Sequence, residues 1–170
     1  MKSCLVRFNA FLLALAVLLG AGCKSPEERK DLSSLQIHIE VNPDGTDRSG
    51  PVTVGRSVPF RVNVDKMSFL SERHLKEASV VEVMGGFAIR LQFEQKGTWL
   101  LEQYSSVLRG KRVVILAWWE GQGRWLGAPR LERHIANGVL EFTPDATREE
   151  ADRIVDGLNK AVKIYESGRY

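Results

Sequence analysis

Two stretches in the N-terminal part of the chain alternate between apolar and polar residues. The first runs from Leu35 to Val41 and the second from Val58 to Val64, and a period of two is typical of half-buried β-strands. The sequence Asn42-Pro43-Asp44-Gly45 ends the first stretch and favours a turn, because proline presets φ and glycine accepts a positive φ. We therefore expect a polar loop through Gly50 and an N-terminal β-hairpin formed by the two strands within residues 35–66.

The pattern after residue 67 predicts two successive β-β-α units. Alternating runs on both sides of Gly85-Gly86 indicate a tight hairpin, and an apolar stripe of helical period follows between Thr98 and Arg109. The run from Val113 to Trp119 is apolar on both faces, as expected of a central strand. The sequence from Gly138 to Phe142 predicts the last strand.

The closing helix has the clearest start signal in the chain. Thr147 and Glu150 have the spacing of a capping box, in which each side chain bonds to the backbone of the other residue. One apolar stripe then follows with helical spacing: Ala151, Ile154, Val155, Leu158, Val162 and Tyr165. Gly157 interrupts this helix at a cost of about 1 kcal/mol relative to alanine, so it either permits a close approach to the sheet or weakens the helix.

These elements predict an α+β fold. The expected architecture is a two-layer sandwich in which two helices cover one face of a mostly antiparallel sheet. The β-β-α-β-β-α unit would occupy residues 67–170, preceded by the N-terminal β-hairpin.

The N-terminus has the pattern of a secretory signal peptide. Two basic residues, Lys2 and Arg7, precede an unbroken apolar run from Ala10 to Leu19. This run is shorter than the roughly 20 residues that a transmembrane helix requires. We expect residues 1–22 to be removed during export.

The sequence Leu19-Gly20-Ala21-Gly22-Cys23 resembles a bacterial lipobox, in which the cysteine is acylated and becomes the first mature residue. The resemblance implies lipid attachment at Cys23 and anchoring to a membrane of the bacterial cell envelope, with residues 23–34 as a polar tether. Because Lys24 rather than an aspartate follows the cysteine, the outer membrane facing the periplasm is favoured. The alternative is an ordinary signal peptide followed by a free cysteine.

The charge balance changes once the signal is set aside. The whole chain has 24 basic and 21 acidic residues, and the signal contains two of the basic residues, Lys2 and Arg7, and no acidic one. The mature chain would therefore have 22 basic against 21 acidic residues. A surface so close to neutral is not expected to bind nucleic acid.

The region from Leu75 to Asn159 resembles the head part of the first periplasmic domain of SecD, the membrane subunit that assists protein export. The resemblance rests on the order and spacing of a set of positions: Phe93, Gly97, Ala128-Pro129-Arg130-Leu131, Ile135, Gly138, Phe142 and Glu150-Ala151. A tryptophan-containing insertion, Trp118–Leu126, departs from the family pattern. The resemblance implies the fold, a location in the cell envelope and a surface that contacts other proteins. It does not imply proton-driven translocation, because the mature chain has no apolar run that could span a membrane.

No pattern typical of catalysis or metal binding occurs in the sequence. The three histidines, His38, His74 and His134, lack zinc-site spacing and have no cysteine nearby. Neither a G-x-S-x-G nor an S-x-x-K motif is present, and removal of the signal with acylation of Cys23 would leave no free thiol. We expect no catalytic residue, metal or cofactor, and a hydrogen-bonded or solvent-facing role for the histidines.

A cluster of tryptophans and arginines offers the strongest candidate ligand-binding residues. Trp119, Trp125 and Arg130 combine flat apolar rings with a planar donor that suits carboxylates. Packing is the more expected role, because Trp118 and Trp119 are successive strand residues and must point to opposite faces. A loop over residues 121–127 would carry Trp125.

Two functions follow as hypotheses. The first is a lipid-anchored envelope protein that acts as a non-catalytic binding or adaptor module, linked to protein export or envelope assembly, with an envelope protein as its partner. The alternative is a glycan- or peptidoglycan-binding protein or envelope enzyme that uses the loop between Trp118 and Trp125.

Overall fold

The computed structural model describes residues 31–168. The helices are α1 (Gln95–Val107) and α2 (Arg148–Glu166), and a single 3-10 turn covers Glu72–His74. The strands are β1 (Ser34–Ile39), β2 (Ser49–Val54), β3 (Phe60–Asp65), β4 (Leu70–Ser71), β5 (Leu75–Val83), β6 (Gly86–Phe93), β7 (Val113–Trp119), β8 (Gln122–Gly127) and β9 (Val139–Phe142).

The strands form three antiparallel groups. A central sheet has the order β4-β1-β7-β8, a second sheet has the order β5-β6-β9, and β2 pairs with β3 alone. The predicted α+β class and antiparallel pairing are therefore confirmed. So is the central position of β7, which lies between β1 and β8.

An N-terminal hairpin exists, but the predicted pairing of its strands is wrong. The strand that begins near Leu35 pairs with β7, with Ile37 opposite Ile115, and only an isolated bridge joins Glu40 to Val64. The hairpin partner of β3 is β2, which begins at Ser49 inside the predicted loop. β1 joins the central sheet, where Leu35 and Ile37 enter the main core; on the other face His38 is buried and Gln36 is exposed.

The segment predicted as a loop over residues 121–127 is a strand. β8 pairs with β7 through a two-residue turn formed by Glu120 and Gly121, which both have positive φ, at 49° and 77°. Two positive φ values are the requirement of the tight turn that matches the twist of a β-hairpin. Trp125 therefore lies on an ordered edge strand of the central sheet.

The two faces of the central sheet belong to different cores. Ile115, Ala117 and Trp119 of β7 lie in the main core, together with Leu101 of α1, the apolar stripe of α2 as far as Val162 and the inner residues of β5, β6 and β9. Val114 on the opposite face packs with Val54, Val62 and Val64 of the β2–β3 hairpin. The sheets thus have helices on one side, while the hairpin covers the other side of the central sheet.

Helix α2 begins and packs as its sequence predicts. The Thr147 hydroxyl accepts from the Glu150 N–H at 3.2 Å, and Glu150 Oε2 accepts from the Thr147 N–H at 2.9 Å. Gly157 permits a close approach, since a Cβ there would lie 2.2 Å from Ser33 Oγ and 2.7 Å from Ser33 N. Within residues 31–168, neither helix is long and apolar enough to cross a bilayer.

Candidate binding site

The adjacent tryptophans of β7 point to opposite faces of the sheet, as strand geometry requires. Trp119 is 2% exposed and lies in the main core. Trp118 is 49% exposed, and its ring covers Gly123, where a Cβ would lie 2.6 Å from the indole atoms. The two rings therefore cannot contribute to one binding surface.

Trp119 packs against a charged cluster beside the N-terminus of α2. The Arg124 guanidinium lies 4.9 Å from the centre of the indole ring, and its Nη1 and Nη2 donate to the two oxygens of Glu150 at 3.2 and 2.9 Å. The indole Nε1 has no hydrogen-bond partner among residues 31–168. This arrangement gives the ring a packing role and leaves almost none of its surface open to a ligand.

Glu150 connects three elements through its carboxylate. Besides Arg124 of β8, Arg56 from the turn between β2 and β3 contacts it at 3.3 Å, and its own capping bond joins it to Thr147. The hydrogen bonds from Arg124 lower the pKa of Glu150 from 4.5 to about 2, against the opposing effect of burial, with further lowering by the Thr147 backbone and the charge of Arg56. The cluster therefore joins β8 and the hairpin to the start of α2.

Trp125 lies on the other face of the sheet and borders an open groove. It is in register with Leu116 of β7, so both side chains point toward the hairpin. The groove lies between the central sheet and β2, with a volume of about 260 Å³. We call this space the Trp125 groove; it is lined by Gln36, His38, Gly50, Pro51, Val52, Val64, Lys66, Leu116 and Trp125.

His38 supports one wall of the Trp125 groove. Its Nδ1 lies 2.8 Å from the backbone oxygen of Asp65, and an acceptor there requires that Nδ1 carries the proton. Its ring meets Trp125 edge-on, with centroids 5.3 Å apart and an interplanar angle of 67°. His38 is only 4% exposed, so its ring is buried against Trp125. Of the two roles predicted for the histidines, hydrogen-bonded or solvent-facing, His38 has the first.

Arg130 lies away from both tryptophans. Its Nη1 donates to the Gly110 backbone oxygen at 2.9 Å, and its backbone forms an isolated bridge with Arg112. It does not line the Trp125 groove. The structure therefore does not bring Trp119, Trp125 and Arg130 together, and of the three only Trp125 borders this groove.

A serine, a histidine and a glutamate meet on the surface of α1, a contact that sequence motifs did not predict. Ser106 Oγ lies 2.7 Å from His134 Nδ1, and His134 Nε2 lies 3.3 Å from Glu102 Oε1. The hydroxyl also donates to the Glu102 backbone oxygen at 2.8 Å, and about half of the His134 side chain is exposed. The three side chains thus form a hydrogen-bonded network on the surface that joins α1 to the segment before β9.

Cys23 lies outside the described residues. Within residues 31–168, no three histidine, cysteine, aspartate or glutamate side chains are grouped so that they could hold a metal ion.

Comparison with known proteins identifies similar folds. No protein-family model and no curated protein matches the chain. A solved structure of SecDF, described as a membrane component that enhances protein export, is 17% identical with a TM-score of 0.54, and the match covers 81% of this chain and 70% of that chain. SecDF in its super-membrane-facing form is 16% identical with a TM-score of 0.54, covering 79% of this chain and 21% of that chain. At these identities the similarity establishes the fold, and it confirms the resemblance to SecD predicted from the sequence.

Proposed function

We propose that this protein is a lipid-anchored component of the bacterial cell envelope whose folded domain is a non-catalytic binding or adaptor module linked to protein export or envelope assembly. The module takes an apolar side chain of a partner protein into the Trp125 groove. The observation that carries this proposal is the position of Trp125, ordered against His38 at the mouth of a groove between two β-layers.

The chemistry of the groove favours a protein segment. Its walls are mostly apolar, formed by Pro51, Val52, Leu116 and Trp125. A tryptophan held rigidly in a preformed groove is a typical anchor point of protein interfaces, because little side-chain entropy is lost on binding. Gln36 and Lys66 supply polar groups that could fix the orientation of a bound segment.

A glycan is the second candidate occupant, because an indole ring also stacks on the apolar face of a sugar. A bound sugar would then need many hydrogen bonds to its hydroxyl groups, and the lining of the Trp125 groove offers few polar donors and acceptors. The two candidates are distinguished by a sedimentation assay with purified cell wall, in which the glycan alternative requires binding that is lost in Trp125→Ala.

The envelope location rests on the signal-like N-terminus and on the fold. Lys2, Arg7 and the apolar run precede the lipobox-like sequence at Cys23, and a similar fold occurs in SecDF, a membrane component described as enhancing protein export. Acyl chains contribute about 0.8 kcal/mol per buried methylene, so several chains on Cys23 would anchor the protein stably.

The anchor is tested by replacing Cys23 with serine in the full chain expressed in a bacterial host. We expect the protein to move from the membrane fraction to the soluble fraction, because a hydroxyl cannot form the thioether. Replacing Ser25 with alanine is the matched control and should leave the membrane fraction unchanged. Membrane retention of Cys23→Ser would contradict the anchor assignment.

The binding role is tested with a photo-cross-linking amino acid at Val52, on the wall of the Trp125 groove. Ultraviolet light should produce a discrete adduct whose second component is identified as a protein by mass spectrometry. The adduct should disappear in Trp125→Ala and persist in Trp99→Ala, because Trp99 is 69% exposed on α1 and does not line the groove. Thermal melts must show that both variants fold. An adduct that persists without Trp125 would contradict the proposal.

A further inference from the structure

Strand β9 is an edge strand whose outward backbone groups can be assigned from its register. The Phe93 N–H donates to the Gly138 oxygen at 2.8 Å, and Leu91 lies opposite Leu140. Because backbone groups alternate in direction along an antiparallel pair, those of Leu140 face β6. The backbone groups of Val139 and Glu141 therefore face away from the sheet.

Most of these outward groups have no partner among the described residues. The Val139 N–H donates to Asn137 Oδ1 at 3.2 Å. The N–H and C=O of Glu141 and the C=O of Val139 form no hydrogen bond within residues 31–168 beyond the strand ladder, which they face away from. Unpaired groups on an edge strand are a template for pairing with another extended chain.

The opposite edge of the same sheet is partly closed. The outward N–H and C=O of Ala78 on β5 bond to the side chain of Asn159 at 2.8 and 2.9 Å. By the same alternation, Glu82 also faces outward on this edge. A groove runs beside β9.

This groove has a volume of about 660 Å³ and lies between β9 and the segment 129–137. Arg130 and Arg133 line it, and neither forms an ion pair with a described carboxylate. Glu141 is neutralised by Arg90 at 2.6 Å, which leaves Glu132 as the acidic residue of the lining without an ion pair in the described part of the chain. The guanidiniums thus give the groove an excess of positive charge.

We propose that the β9 edge binds an extended, acidic segment of a partner protein by strand addition. The main chain of the segment pairs with Glu141 and Val139, while its carboxylates reach Arg130 and Arg133. Main-chain bonds supply affinity in this mode of recognition and side-chain contacts supply specificity. This surface is separate from the Trp125 groove, so either site can be tested without the other.

The test measures binding of fluorescent octapeptides to the full chain by anisotropy. The probe alternates threonine and glutamate; a second peptide replaces each glutamate by lysine, and a third carries N-methyl groups on alternate amides. We expect the acidic peptide to bind. The lysine peptide should bind about tenfold or more weakly because its charges repel the two arginines. The N-methylated peptide should also bind about tenfold or more weakly, since one lost backbone hydrogen bond of about 1.4 kcal/mol is a factor of ten. No binding of the acidic peptide, or equal binding of its N-methylated form, would overturn the proposal.

Two proline variants test which edge of the β5-β6-β9 sheet binds the peptide. Glu141→Pro removes an outward N–H without touching the β6 ladder, and proline is tolerated on edge strands, so binding should fall about tenfold. Glu82→Pro removes an outward N–H on β5 and should leave binding unchanged. Arg133→Glu should also weaken binding, which keeps the test valid if Glu141→Pro misfolds. The proposal would be overturned if Glu82→Pro weakened peptide binding more than Glu141→Pro. Dimerisation through β9 without peptide binding would also overturn it.

Discussion

The side-chain amide of Asn159 pairs with both backbone groups of Ala78. Its Oδ1 accepts from the Ala78 N–H at 2.8 Å, and its Nδ2 donates to the Ala78 oxygen at 2.9 Å. The amide thus acts as one residue of an additional strand on β5, although it comes from α2, 81 positions along the chain. It joins the closing helix to the three-stranded sheet at a defined register.

Replacing Asn159 with alanine should destabilise the fold by about 1–3 kcal/mol, because two backbone groups of a buried residue lose their partners. Urea unfolding followed by circular dichroism measures the change. Asn63→Ala is the matched control, since the Asn63 amide forms one longer bond of 3.4 Å to the Val41 oxygen; its cost should be below about 1 kcal/mol. Equal effects of the two substitutions would contradict the assigned role.

Gly157→Ala should destabilise the protein although alanine is the better helix former. Intrinsic propensity predicts a gain of about 1 kcal/mol, but the added Cβ would lie 2.7 Å from the backbone nitrogen of Ser33. Overpacking of this kind costs about 1–3 kcal/mol, so the melting temperature should fall. Asp156→Ala, at an exposed neighbouring position, should change stability by less than about 0.5 kcal/mol. A higher melting temperature for Gly157→Ala would mean that α2 does not approach Ser33 closely.

Acid should weaken the protein through Glu150. Its pKa in the folded state is about 2, below its ordinary value of 4.5, so the unfolded chain binds the proton more readily. The stabilisation, on the order of 1–2 kcal/mol, is complete above pH 4.5 and is lost as the pH falls toward 2. Urea midpoints of the wild type should therefore decrease over this range more steeply than those of Glu150→Gln. If the urea midpoints of the two proteins fell in parallel with pH, Glu150 would not contribute to the loss of stability in acid.

Local features of the fold were predictable because neighbouring residues determine them. The capping box of Thr147 and Glu150 places the start of α2 within four residues of sequence, and Gly85, with its positive φ of 88°, marks the β5–β6 turn. The uninterrupted apolar run of β7 likewise indicates burial on both faces. The signal and lipid-attachment predictions at Cys23 are also read from a short segment, and they remain predictions.

The partners of each strand could not be read from the same local patterns. β1 and β3 have similar alternation, and only the shape of the buried core places β1 beside β7 and leaves β3 to β2. The sequence does not predict β2, because Gly50 and Pro51 are typical of loops and the apolar residues of this strand face only a small second core. A pairing choice of this kind depends on contacts between segments distant in sequence.

The chain by itself determined the α+β class, the capped closing helix and the resemblance to SecD, because each depends on periodicity or short-range spacing. The tertiary structure alone decided the candidate sites. Pairing of β8 with β7 sends Trp119 into the core and Trp125 to the opposite face, while the register of β9 leaves Glu141 facing outward. Both outcomes follow from the alternation of side chains and backbone groups along a strand, whose effect is known only once the neighbouring strand is known.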